Sequence, residues 1–300
     1  MSINVRECTA HLKKAASDWM DHNDSSQGAA IAFYTVLSLA PLLVVVVAVA
    51  GFFFGQEAVR GQVFWQLRNL IGSQAASTVQ SLLKAAYHPA AGIAASVIGF
   101  LILLMGASGV FLQLRQTLNY IWGVDPNVDS GISGILRSRL FSFAMVLGIG
   151  FLLVVSLALS AIISAMGSYA SQMISIPGPV LLVINFVVTF VITSFLFALI
   201  YKFVPETKIE WDDVATGAIF TALLFDVGKV IIGLYLGKAS VGSAYGAAGS
   251  LVVLLVWVYY SSQVFLYGAE FTHVYATAHG KLTTPPTHAA AHPALQPRHS

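Results

Sequence analysis

Asp226 and Lys229 stand three residues apart inside an apolar run that opens near Val214 and closes near Leu236. At that spacing they share one face of a helix and can pair as ions. Counting along a helix from Asp213 places Asp226 roughly 20 Å and Lys229 roughly 24 Å from its start. Charge is expensive in hydrocarbon, so the pair points to a polar lining of a cavity or pathway. The competing reading is structural: Lys229 reaches outward to the membrane surface and Asp226 neutralises it. Gly233 and Gly237 continue the same face and are expected to let a neighbouring helix approach closely.

Other polar residues recur at helical spacing. Gln263, Tyr267 and Glu270 make one polar face on the last apolar run. Glu270 is expected at the opposite membrane depth from Asp226, so the two acids are not expected to share a site. For Glu270 alone, anchoring at the interface competes with a place on the pathway. Ser156, Ser160 and Ser164 recur at fours, as do Asn185, Thr189 and Thr193. Such stripes let helices pack and hydrogen-bond, and the same faces can line a polar passage. Pro41 removes a backbone hydrogen bond within the first run and is a candidate kink or hinge. Arg115, Gln116 and Asn119 gather just before Trp122, where anchoring at the interface and contact with an anionic headgroup are both open.

Several chemistries lack their residues. Cys8 is the sole cysteine, which rules out an internal disulfide and any multi-cysteine metal site. His11, His22, His88 and His273 are scattered over different segments, and no phosphate-binding loop motif occurs. His279, His288, His292 and His299 accompany Pro285, Pro286, Pro293 and Pro297 in a tail whose composition cannot pack a core. Neither catalytic residues, nor a cofactor, nor a metal site is expected. A net charge of +2 gives no global electrostatic case for nucleic acid.

The elements that must position these residues are set by composition. Of 300 residues, 57% are hydrophobic and 9% charged, against roughly a quarter charged in ordinary soluble domains. The apolar residues fall in blocks: 29–54, 91–112, 140–166, 179–203, 214–236 and 246–274. Blocks of about 20 residues are what a helix needs to cross the hydrocarbon layer. The expected fold is therefore an all-α polytopic bundle of about six transmembrane helices. Residues 1–28 form an amphipathic cytoplasmic segment in this reading, with Val5, Cys8, Leu12 and Trp19 at near-helical spacing. Residues 29–275 form the membrane domain, with short external helices over 55–90, and 276–300 form a disordered cytoplasmic tail. The first apolar run lacks the pattern of a cleavable signal, so it is expected to stay.

Orientation follows from lysine and arginine in the loops. With the N-terminus inside, Arg6, Lys13, Lys14, Arg115, Arg137, Arg139, Lys202, Lys208, Lys281 and Arg298 lie inside. Arg60, Arg68, Lys84 and Lys238 then lie outside. Ten against four favours both termini in the cytoplasm.

The run Ala-Ile-Ala-Phe-Tyr-Thr-Val-Leu-Ser-Leu-Ala-Pro-Leu-Leu from Ala30, the stretch Leu118–Val124, Tyr201–Pro205 leading to Gly217-Ala218, and Tyr245–Ser250 leading to Gly268-Ala269-Glu270 resemble the YihY/BrkB family of bacterial inner-membrane proteins. The resemblance runs from about Trp19 to Tyr275. It implies a six-span helical protein of the inner membrane, from a family named partly for resistance to serum killing. It supplies no agreed catalytic residues. Some members carry an old ribonuclease label, for which no clustered metal ligands or acid–base pair beside a basic groove can be assembled here. The expected function is transport or translocation of an amphipathic or lipid-like envelope molecule. The alternative is a non-transporting scaffold that supports envelope integrity. Expected partners are membrane lipids and an unidentified small or lipid-like substrate, with a homo-oligomer open.

Overall fold

The structure, a computed structural model, describes residues 5–54, 109–124, 178–238 and 249–279, with positions 61, 64, 65, 76, 77 and 79–81. The described residues are helical throughout their regular elements. Helix α1 spans Val5–Asp21, α2 Asp24–Phe54, α3 Gly178–Phe203, α4 Trp211–Lys238 and α5 Gly249–Ala278. A further helical segment covers 109–121. Among the described residues, three helices, over Phe186–Phe203, Trp211–Tyr235 and Leu251–Ala278, are long and apolar enough to cross a membrane. The expected span 140–166 with Ser156, Ser160 and Ser164, most of 91–112, most of the external segment 55–90 and the tail beyond His279 lie outside the described residues.

Helix α5 is the centre of the bundle, packed by α4, α2 and α1, while α3 packs on α4. The apolar stripe of α1 docks on α5: Ala15 is buried beside Phe271 and Val274, with Leu12 and Tyr267 at the edge. The Tyr267 hydroxyl also donates to the Leu12 carbonyl at 3.1 Å. The amphipathic face read from the sequence therefore has a protein partner along this stretch.

Two residues join α1 to α2. Asn23 takes a left-handed backbone with φ 55°, a conformation asparagine tolerates better than most residues. Its carbonyl accepts from the Ser26 amide at 3.0 Å and the Gln27 amide at 3.4 Å, and its side-chain oxygen accepts from the Ser26 hydroxyl at 3.1 Å. Asn23 thus caps α2 and leaves Asp24 in the first turn, where peptide N–H groups favour negative charge. The helix then continues through Pro41 to Phe54; proline there cannot donate to the carbonyl four residues back.

Segment 109–121 ends in a Schellman motif. The Val124 amide donates to Asn119 at 2.9 Å and the Gly123 amide to Tyr120 at 3.1 Å, with Gly123 at φ 63°. At the end of α3, Lys202 donates to the Ile209 carbonyl and lies 5.4 Å from the centroid of the Trp211 ring. This ties the 204–210 turn between α3 and α4.

Small residues set the closeness of α4 and α5. A Cβ on Gly217 would lie 2.7 Å from the Thr272 Cβ, and one on Gly268 would lie 2.8 Å from the Thr221 Cγ2. Tyr201 of α3, fully buried, joins this seam by donating to the Phe265 carbonyl at 2.7 Å and sitting 3.1 Å from the Thr221 hydroxyl. Close approach by small residues combined with hydroxyl bonding is how helices associate where the solvent is lipid. Gly233 does not take part: it is exposed, and among the described residues nothing lies within 4 Å of where its Cβ would be. On the same helix Gly228 is backed by Tyr260.

Candidate functional site

Two polar clusters interrupt the apolar bundle. On α4, Lys229 Nζ donates to Asp226 Oδ1 at 2.9 Å. The Asp226 side chain is 7% exposed and that of Lys229 25%, so the carboxylate is held inside while the ammonium reaches toward the edge. Asp226 Oδ2 has no hydrogen-bond partner among the described residues, leaving acceptor capacity on a buried ion.

The second cluster forms where the turn after α1 meets α5. His22 Nδ1 lies 2.5 Å from Glu270 Oε1, and Asp24 is buried beside them. Gln263 Nε2 donates to the Ser25 carbonyl at 3.3 Å. Gln113 donates to Gln27 Oε1 at 2.6 Å, and the Thr117 hydroxyl donates to the Gln113 carbonyl at 2.8 Å. The ring of His273 packs edge-on against Trp122 at 5.1 Å. The hydrogen bond to Glu270 holds His22 above the usual histidine range. Burial, and then the charge of Glu270, push the Asp24 carboxyl up to about 7.

Helices α4 and α5 run antiparallel and in step, with Gly217 against Thr272, Gly268 against Thr221 and Gly228 against Tyr260. Asp226 therefore lies near the level of Gln263 and only about two turns, ~10 Å, from the level of Glu270. Glu270 is fully buried and bonded to the turn between α1 and α2, at a level about 10 Å nearer than Asp226 to the Trp211 end of α4. The two acids still belong to separate clusters. Gln263 and Glu270, expected on one polar face, both bond toward α2 and the turn before it.

The remaining expected residues are dispersed. Thr189 and Thr193 are half-buried on α3. The side chain of Asn185, the surroundings of Pro41, and all of Ser156 and Ser160 lie outside the described residues. Arg115 pairs with Glu206. Asn119 clasps the same residue twice, Nδ2 donating to Glu206 Oε2 at 2.9 Å and Oδ1 accepting from the Glu206 amide at 2.9 Å. The proposed headgroup residues thus have a protein partner, which ties segment 109–121 to the α3–α4 turn. Asn119→Ala is expected to lower stability by about 1–3 kcal/mol through loss of both bonds. Glu206→Ala, at an exposed ion pair, is expected to cost under about 1 kcal/mol. Denaturation in mixed micelles compares the two, and equal losses would mean that the bond to the Glu206 amide is worth no more than the Arg115 ion pair.

His22, Asp24, Gln27, Gln113 and Thr117 escaped the reading of the sequence. Asp24 and Gln27 lie in the polar stretch before Ala29, where solvation is the ordinary expectation, and long-range partners cannot be read from local spacing. One local signal existed: Asn23 and Asp24 precede a long apolar run, as helix-starting residues do. Among the described residues, no group of three or more His, Cys, Asp or Glu side chains is arranged to hold a metal ion.

The sequence pattern of the virulence factor BrkB family matches residues 15–293. The chain belongs to that family. Among relatives, a UPF0761 membrane protein of Verminephrobacter eiseniae is 32% identical over 248 residues, covering 81% of this chain and 56% of the relative. A UPF0761 membrane protein of Pseudoalteromonas translucida is 30% identical over 249 residues, covering 81% of this chain and 78% of the relative. One of Rhodospirillum centenum is 26% identical over 265 residues, covering 87% and 56%. This BrkB-family chain thus spans little more than half the length of several curated relatives it matches. No solved structure matches it. Its apolar helices and these relatives agree on a membrane protein.

Proposed function

We propose that this BrkB-family chain is a multi-pass protein of the bacterial inner membrane that binds and moves an amphipathic, lipid-like envelope molecule along a polar seam. The observation that carries the reading is the Asp226–Lys229 pair, with its carboxylate buried and one oxygen unpartnered in an otherwise apolar helix. Gln263 lies at a similar level along the bundle axis and Glu270 about two turns beyond, both turned toward α2 and the turn before it. A headgroup with donors fits Asp226, and one with anionic oxygens fits Lys229, while acyl chains would remain in the bilayer. The chain has no expected enzymatic activity, and it is proposed to act on membrane lipids or a lipid-like substrate without nucleic acid.

The test is reconstitution of the full chain in vesicles carrying fluorescent lipid probes, beside Asp226→Leu/Lys229→Met. Movement of a probe by the wild type and its loss in a folded double variant is the expected result. Equal activity of the two proteins removes the seam reading. The scaffold remains the second reading, favoured by the glycine contacts between α4 and α5, and it gains if the double variant also complements a deletion strain fully.

The loop charges support both termini in the cytoplasm. A reporter fused after Gly280 is expected to be active only in its cytoplasmic form, and an external signal from that fusion sinks the proposed orientation.

A further inference from the structure

Three ionisable side chains from three parts of the chain meet where α1 docks: His22 in the turn, Asp24 in the first turn of α2 and Glu270 on α5. Asp24 and Glu270 are 0% exposed, while the side chain of His22 is 27% exposed. His22 serves one oxygen of Glu270. Glu270 Oε2 and both carboxylate oxygens of Asp24 have no hydrogen-bond partner among the described residues. Two ionised carboxylates side by side are acceptors only, so neither can satisfy the other. A proton on one of them turns it into a donor toward its neighbour and removes one buried negative charge. The charge balance leads to the same place. A protonated His22 offsets one carboxylate, and the second has no cation of its own in the cluster.

The surrounding groups do not undo this balance. From α1, Lys14 and Asp18 are paired with each other at 2.5 Å. From α5 comes His273, set against Trp122. Segment 109–124 presents the Tyr120 ring, 4.9 Å from that of His22. From α4, Asp213 is buried at the same end of the bundle. From α2 come the peptide N–H groups of the turn that holds Asp24.

We propose that Asp24 and Glu270, capped by His22, form a proton-binding site that takes one proton from solvent between the two carboxylates and returns it, coupling protonation to docking of the α1–α2 turn on α5. The step is proton binding alone, with no bond made or broken elsewhere, and the partly exposed imidazole is its route to water. Asp24 and His22 both sit above their ordinary values. The folded state therefore holds more protons than the unfolded one, and the docking weakens as pH rises through neutrality. The site stands whether or not a lipid-like molecule moves along the seam; if one does, this proton is a candidate driving ion.

The experiment is infrared difference spectroscopy of the full chain in lipid nanodiscs during a pH titration, with no substrate present. Expected is a protonated-carboxyl band that disappears with a midpoint between about pH 5 and about pH 8, the range in which a histidine-linked site titrates. Asp24→Asn and Glu270→Gln should each abolish this titration. His22→Gln keeps a hydrogen-bonding side chain but removes the positive charge, so it should raise the midpoint by about one unit, a tenfold change in proton affinity. Hydrogen exchange across residues 18–28, corrected for intrinsic rates, should lose protection with the same midpoint in the wild type. This readout keeps the test decisive if a carboxylate variant fails to fold. A wild-type spectrum without such a band overturns the proposal, as does a midpoint unmoved in His22→Gln. A midpoint that falls with sodium concentration at constant ionic strength also overturns it, because the site then takes a metal cation.

Discussion

Lys229→Met is expected to destabilise the folded protein by about 3 kcal/mol or more, because it leaves the Asp226 carboxylate buried without its cation. Asp226→Leu should cost less. The lysine stem is long enough to carry a lone ammonium toward the membrane surface, and Lys229 is already 25% exposed; the aspartate, at 7%, is too short to escape. The double variant Asp226→Leu/Lys229→Met should return close to wild-type stability, since both the charge and its counterion are gone. Unfolding of the three variants in mixed micelles, with membrane abundance measured beside it, gives the comparison. Additive losses in the double variant would mean that the two side chains do not interact. Rescue of stability with loss of transport would separate what the pair does for function from what it does for the fold.

Gly217→Leu is the second large effect. A mere Cβ at that position would meet the Thr272 Cβ at 2.7 Å, and Thr272 cannot swing aside easily because it is fully buried and its hydroxyl donates to the Gly268 carbonyl at 2.6 Å. Leucine must therefore push α4 and α5 apart across the Gly217, Thr221 and Gly268 seam. Overpacking of this kind costs about 1–3 kcal/mol for modest insertions and more when backbones must separate. The expected result is strongly reduced membrane abundance. Gly233→Leu is the matched control: that position is exposed, and the variant should accumulate like the wild type. Equal abundance of the two variants would show that the close approach does not limit assembly.

The helices were legible in the sequence because their signals are local. Long apolar runs set α2, α3, α4 and α5, and the spacing of Leu12 and Trp19 set the amphipathic α1. The Asp226–Lys229 pair was legible for the same reason, since its partners lie one turn apart on one helix. The second cluster was not. His22 and Glu270 are separated by 248 positions, and nothing near either residue encodes that the turn after α1 folds onto α5. The register between helices was hidden for a related reason. Counting residues from the end of a run gives position along one helix, whereas relative depth depends on the register between helices, which Gly217, Thr221 and Gly228 set through their packing on α5. Gly233 likewise matched the spacing of a packing face without having a neighbour among the described residues.

The two-residue turn at His22 and Asn23 leaves almost no slack between α1 and α2. A helix of 17 residues is ~25 Å long, and here it is fixed at one end to a much longer helix. Once its docking on α5 through Leu12 and Ala15 is released, helix α1 becomes a lever with its fulcrum at Asn23. Rocking α2 by about 5° would sweep the far end of α1 through about 2 Å, given that length. A small tilt within the bundle would thus become a visible displacement at its surface, and a label near Glu7 would register it before any change could be seen at the fulcrum.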